Sequence, residues 1–218
     1  MIKLHGFAVS NYFIMVKLAL LEKAVAFEIK EVFPSQEPGF LAISPRGKVP
    51  ALETRDGFIS ETSVILEYIE ETQGGKALLP DDPFERATVR ALTKEIELYI
   101  ELAGRSCYPE VYFGGQVDQA IKDKARTELL GGVEAVKRHG RFAPYVAGSE
   151  MTIADIVFLY SIDLANGVAK KLFSTDLLED WPEAADLLKK LKAMPNVQKV
   201  AADRDAGMAE FMAARGKR

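Results

Sequence analysis

Apolar residues along this chain alternate in short runs up to about residue 60 and then recur only at helical spacing. Ile2 and Leu4 predict a short strand that ends in a loop at Gly6-Phe7. Phe13, Val16, Leu18, Ala19, Leu20 and Leu21 predict a helix, with Ser10 or Asn11 as its N-cap. Val25, Phe27, Ile29 and Val32 nearly alternate, as in a second strand. Residues 34–45 are irregular, with one short helix around Phe40-Leu41. Ala51-Leu52-Glu53-Thr54 and Phe58-Ile59 flank Asp56-Gly57, a good pair for a hairpin turn. Val64, Ile65, Tyr68 and Ile69 then mark a helix that starts after Glu61 and stops near Gly74-Gly75. The order β-α-β-α-β-β-α sets a right-handed parallel crossover beside an antiparallel hairpin.

Residues 76–83 read as a linker by composition, and beyond them the strand signals vanish. Residues 84–113 form one long helical pattern in which Pro109 predicts a kink or break. A second helix runs over 117–141, loosened at Gly131-Gly132. Further helices start at Thr152, Trp181-Pro182 and Pro195-Asn196, followed by a charged, frayed tail from Arg215. The expected domains are therefore residues 1–75 and residues 84–218.

Composition narrows the function classes. The chain has 218 residues, 48% hydrophobic and 28% charged, as in an ordinary globular protein. A formal charge of -4 lacks the basic footprint of a nucleic-acid binder. Cys107 is the lone cysteine, so an internal disulfide is excluded and a reducing compartment fits. Met1-Ile2-Lys3-Leu4-His5 is too quickly interrupted for a signal peptide, and no apolar run reaches the ~20 residues of a membrane span. The expectation is a cytoplasmic protein with no membrane partner. His5 and His139 show no partner pattern for a metal or a triad, so no metal is expected.

Two stretches carry the chemistry. In Ser44-Pro45-Arg46-Gly47-Lys48-Val49-Pro50, the proline is well placed to be cis. That geometry would turn the Val49 N–H and C=O outward to pair with an extended peptide. In Ile59-Ser60-Glu61-Thr62-Ser63, a hydroxyl and backbone N–H groups at a helix N-terminus would hold an anion. One element would grip a peptide backbone and the other a carboxylate.

These segments, together with Asp56-Gly57 and Val64-Ile65-Leu66-Glu67-Tyr68-Ile69, resemble the N-terminal domain of cytosolic glutathione S-transferases. Met151-Thr152-Ile153-Ala154-Asp155-Ile156 is similar to the capping box of that family's helical domain, with Met151 and Ile156 stapling the turn. The resemblance implies a thioredoxin-like domain followed by an all-helical one. It implies that Val49 pairs main chain to main chain with the cysteinyl part of glutathione, and that Lys48 approaches the glycyl carboxylate. Glu61 then holds the γ-glutamyl amine and Thr62 its carboxylate.

Ser10 falls where serine-type members carry the hydroxyl that stabilises the thiolate. A thiol of pKa ~8.5 must ionise to attack an electrophile, and a hydroxyl donor at a helix N-terminus favours that ionisation. Ser10 as a plain N-cap is the competing reading. Asn11 and Tyr12 are alternatives for the sulfur contact. The absence of tyrosine before Tyr12 argues against the tyrosine type, and the lack of a nearby cysteine against the disulfide-exchanging type. Phe7, Val9, Tyr12, Tyr108 and Tyr112 are the expected lining of the electrophile pocket, with Tyr108 or Tyr112 polarising the substrate.

The implied activity is addition of the glutathione thiolate to a small hydrophobic electrophile, as in detoxification, by a homodimer. Alternatives are a glutathione-dependent isomerase of the maleylacetoacetate kind, from whose Ser-Ser-Cys signature Ser10-Asn11-Tyr12 departs, and a peroxidase or dehalogenase. A non-catalytic binding or regulatory module is the reading from another class.

Overall fold

The computed structural model describes residues 2–215. Alternation near the N-terminus resolves into β1 (Ile2–Gly6), β2 (Phe27–Glu31), β3 (Ala51–Thr54) and β4 (Gly57–Ser60). They form one sheet in the order β2-β1-β3-β4. β1 pairs parallel with β2 and antiparallel with β3, and β3 pairs antiparallel with β4. The helices between them are α1 (Asn11–Glu22), the short α2 (Pro38–Leu41) and α3 (Thr62–Thr72). This is the thioredoxin-like order the pattern predicts. The hairpin turn differs by one position. Thr54 pairs with Gly57, so Arg55-Asp56 turn the chain in place of Asp56-Gly57. The Thr54 side chain explains the shift: its Oγ1 accepts from the Asp56 N–H at 3.1 Å and donates to the Gly57 carbonyl at 3.2 Å.

Helix α1 is apolar nearly all round, Lys17 being the exception, and every residue from Phe13 to Leu20 is buried. Such a helix must be covered all round. Packing against β1 and α3 accounts for part of that cover, and α10 (Pro195–Arg215) supplies more. The terminal helix therefore groups with the first unit, which comprises residues up to Leu78 together with those from Lys192 on. The expected helical domain, 84–218, includes this helix, which by contacts groups with the first unit. Val197 and Val200 are buried, and Asn196 donates to Glu22 of α1 at 2.9 Å. Residues 216–218 of the expected charged tail lie outside the described residues.

The second unit spans Leu79–Leu191. The single long helix expected over 84–113 is divided into α4 (Pro83–Glu95), a π-helical segment Ile96–Glu101, α5 (Leu102–Arg105) and α6 (Tyr108–Phe113). Pro109 stands in the first turn of α6, where its missing N–H costs nothing. α7 (Gln119–His139) is continuous through Gly131-Gly132, contrary to the expected loosening. Gly132 is there for close packing, since a Cβ would lie 2.6 Å from Tyr99. α8 (Ile153–Phe173) and α9 (Pro182–Lys192) complete the unit. Asp155 closes the first turn of α8: its carboxylate accepts the Thr152 N–H at 2.8 Å, the Thr152 hydroxyl at 3.1 Å and the Val146 N–H at 2.8 Å.

Candidate glutathione site

Strand register assembles the site. His5, near the end of β1, stands opposite Ala51 at the start of β3, and Ala51 stands opposite Ser60 at the end of β4. Three neighbouring strand ends therefore form one row. From that row the loop to Ser10 leaves after β1, Lys48-Val49-Pro50 enter before β3, and Glu61-Thr62 follow β4. Adjacent strands lie about 4.8 Å apart, so the row spans about 10 Å. An extended tripeptide covers about the same length.

The β1–α1 loop is held by its backbone. Gly6 lies at φ +151°, and a Cβ there would meet the Phe13 ring at 2.4 Å. The Ser10 N–H donates to the Phe7 carbonyl at 3.0 Å. Ser10 is the N-cap of α1, its Oγ accepting the Phe13 N–H at 3.4 Å. That long bond uses only an oxygen lone pair, so the hydroxyl proton remains available to donate. The Asn11 side-chain nitrogen is covered by protein and has no hydrogen-bond partner among the described residues. Tyr12 is half-buried in the first turn of the same helix.

The second stretch is a tight turn. The Gly47 N–H donates to the Ser44 carbonyl at 2.7 Å, and the Lys48 N–H to Ser44 Oγ at 3.2 Å. Gly47 has φ +62°, and a Cβ there would strike the Ser35 carbonyl. The Val49-Pro50 bond is cis, as the sequence predicts. Among the described residues neither the Val49 N–H nor its C=O has a hydrogen-bond partner, and the exposed Lys48 ammonium has no ion pair. Ser44, buried and holding this turn, is a site-supporting residue that sequence reasoning missed.

Glu61 precedes α3 at φ +72°, an uncommon backbone for a non-glycine residue. No side chain caps α3. Thr62 is only 7% exposed, and its hydroxyl has no hydrogen-bond partner among the described residues. A helix start without a side-chain cap, beside an unpartnered hydroxyl, is suited to an anion.

The expected pocket residues divide between the units. In the first, Phe7 is buried against Phe33 and Phe211, with ring centroids at 4.8 and 5.4 Å, while Val9 is half-buried. In the second, neither tyrosine hydroxyl is free to polarise a substrate, which corrects that expectation. Tyr108 is buried and donates to the carboxylate of Glu101 at 3.1 Å. Tyr112 donates to the Leu164 carbonyl at 2.6 Å. Burial first, and then nearby carboxylates, raise both phenol pKa values above the usual range. Burial likewise raises the Cys107 thiol. The histidines do have carboxylate partners, His5 with Glu53 at 2.8 Å and His139 with Glu95 at 3.0 Å. Among the described residues no group of three or more His, Cys, Asp or Glu side chains could hold a metal ion. No helix among them is long and apolar enough to cross a membrane.

A thioredoxin-like sheet with two helix N-termini and an unpaired peptide edge, followed by a helical unit, defines a class of protein built to hold a small anionic peptide. Comparison with known proteins agrees. Residues 4–77 match the family model of the glutathione S-transferase N-terminal domain, and residues 107–204 that of the C-terminal domain. A glutathione S-transferase of Pseudomonas putida is 58% identical over 97% of this chain and 96% of its own. Glutathione transferase F2 of Populus trichocarpa superposes with a TM-score of 0.81 at 23% identity, over 95% of this chain and 100% of that one, which shows the fold alone. A maleylacetoacetate isomerase of Methylobacterium extorquens, solved with malonate and GSH, matches with a TM-score of 0.72 at 25% identity over 93% and 97% of the two chains. The chain belongs to the glutathione S-transferase family.

Proposed function

We propose that this protein is a serine-type glutathione transferase that holds glutathione along the row of strand ends and presents its sulfur to Ser10. The observation that carries the reading is the unpaired Val49 peptide group, flanked in register by the starts of α1 and α3. Val49 takes the cysteinyl main chain, Lys48 the glycyl carboxylate, Glu61 the γ-glutamyl amine and Thr62 the γ-glutamyl carboxylate. Ser10 donates its hydroxyl proton in a hydrogen bond to the thiolate. The Asn11 side-chain nitrogen is covered by protein, whereas the Ser10 hydroxyl keeps its proton free, which favours Ser10 over Asn11.

The thiol proton leaves to solvent, and the sulfur lone pair forms a bond to an electrophilic carbon. A leaving group departs with its bonding electrons, or the carbanion of an addition takes up a proton. The protein contributes orientation and thiolate stabilisation. Small hydrophobic electrophiles fit the apolar side chains of the β1–α1 loop, consistent with a detoxifying role in the cytoplasm. Homodimerisation is part of the same reading: Phe84, Leu98 and Leu102 expose apolar surface on α4, the π-helical segment and α5.

Retention on immobilised glutathione tests the binding. Replacing Ser10 by Ala tests the chemistry: turnover should fall about 10- to 100-fold at neutral pH, from the loss of one hydrogen bond to a charged group, while the KM for glutathione holds. Unchanged turnover would transfer the role to Tyr12. The isomerase reading, favoured only by the likeness to the Methylobacterium enzyme, predicts cis–trans conversion of maleylacetoacetate without consumption of glutathione.

A further inference from the structure

One face of α10 runs along the loop that carries Ser10. Asp203, Gly207 and Phe211 fall four residues apart, on a single stripe of the helix. Asp203 pairs with the buried ammonium of Lys17 at 2.6 Å. Gly207 sits against Ala8 and Val9, where a Cβ would lie 3.3 Å from Ala8 Cβ and 3.9 Å from Val9 Cγ2. Phe211 stacks on Phe7 at 5.4 Å between ring centroids, with the planes 15° apart. The Phe7 carbonyl in turn accepts the Ser10 N–H. A contact with the last turns of the chain is thus one residue removed from the Ser10 backbone.

Phe33 packs on the same Phe7 ring at 4.8 Å, so Phe7 is held between Phe33 and Phe211. An open cleft of about 220 Å³ lies beside the loop, lined in part by Gly6, Phe7, Ala8, Lys17 and Asp203. A segment beside open space can shift where a fully packed one cannot. From this geometry we infer that Phe211 is a positioning residue: its ring fixes Phe7 and, through the Phe7 carbonyl, the direction in which the Ser10 hydroxyl donates.

The inference rests on the serine-type reading above. It is tested with purified full-length enzyme, glutathione and chlorodinitrobenzene, following kcat and KM across pH. Phe211→Ala and the milder Phe211→Leu should raise the apparent pKa of bound glutathione. A rise of one unit lowers kcat about tenfold at neutral pH and restores it in alkali, with the KM for glutathione unchanged. Phe211→Tyr, which keeps the stacked ring, should behave as the parent. Combined with Ser10→Ala, Phe211→Ala should cost nothing further, because it acts through the group already removed. Thermal melting identifies any variant that is unfolded, and Phe211→Leu then carries the test. An unmoved pH profile in folded variants, or losses that multiply in the double mutant, would overturn the inference. Full turnover in Ser10→Ala alone would instead overturn the serine-type reading.

Discussion

Replacing Thr62 by Val separates binding from structure, because the two effects should have opposite signs. Valine keeps the branched shape and removes only the hydroxyl. In the protein without glutathione that hydroxyl is on a residue 7% exposed and has no partner among the described residues. A buried polar group left unsatisfied costs about 1–3 kcal/mol, and a partly exposed one less. The variant should therefore melt at the same temperature as the parent or slightly higher. When glutathione binds, the hydroxyl is proposed to donate to the γ-glutamyl carboxylate. A hydrogen bond to a charged group is worth about 1.5–3 kcal/mol, so Thr62→Val should weaken binding roughly 10- to 150-fold. Isothermal titration of glutathione and a thermal melt of the same preparation measure both quantities. A variant that is destabilised yet binds glutathione as before would make Thr62 a structural residue of the α3 start, and the anion site would be lost from the argument.

Three further outcomes are expected. The pH–rate profile of Ser10→Ala should have its rising limb displaced to higher pH, with the rate recovering in alkali; a loss independent of pH would mean that Ser10 orders the loop without touching the sulfur. Arg105→Met should destabilise the second unit by about 3–5 kcal/mol, because it leaves the fully buried Glu101 carboxylate with only the Tyr108 hydroxyl; adding Glu101→Leu should recover most of that, and a denaturant titration showing no loss would refute the pairing. Asp155 has its pKa raised by burial from 3.8 to about 6, against three donors that favour the carboxylate. The folded state therefore holds this proton more tightly than the unfolded one. Its contribution is complete below about pH 4 and is lost as pH rises through about 6, by about 3 kcal/mol. The stability difference between the parent and Asp155→Asn should shrink across that window and level off above it, and a flat difference would refute the burial argument.

The first unit was legible because its signals are local. Alternation in Leu4 and Leu52, the turn chemistry of Gly47 and Pro50, and the cap at Ser10 each depend on residues within one or two turns of chain. The hairpin misplaced by one residue shows the limit: Asp56-Gly57 is the better turn pair by type, but the Thr54 hydroxyl bonds both sides of Arg55-Asp56 and sets the register. Apolar spacing predicts one long helix over 84–113 and misses the π-helical segment, because a wider turn leaves no mark on a pattern that short. Tyr108 and Tyr112 were read as pocket residues from their type. What disqualifies their hydroxyls is Glu101 in one case and the Leu164 carbonyl in the other, contacts that no spacing reveals.

The helix that starts at Pro195-Asn196 is predicted, but what it packs against is written elsewhere in the chain. α10 has no clear apolar face, and a stripe of Asp203, Gly207 and Phe211 does not announce a packing surface. The requirement is written in α1, where all residues from Phe13 to Leu20 are apolar but Lys17, and Lys17 is itself buried on Asp203. A helix apolar all round needs more cover than one sheet and one neighbouring helix provide, and the remaining cover must come from a segment distant in sequence. Residues 195–215 meet that need, and in doing so they reach the loop before Ser10. Covering α1 and ordering the Ser10 loop are then tasks of one helix face, since Lys17 of α1 and Phe7 of the loop are held by Asp203 and Phe211, about two turns apart on α10. Changes in this terminal segment, far from Ser10 in sequence, should accordingly alter the thiolate chemistry before they alter the affinity for glutathione.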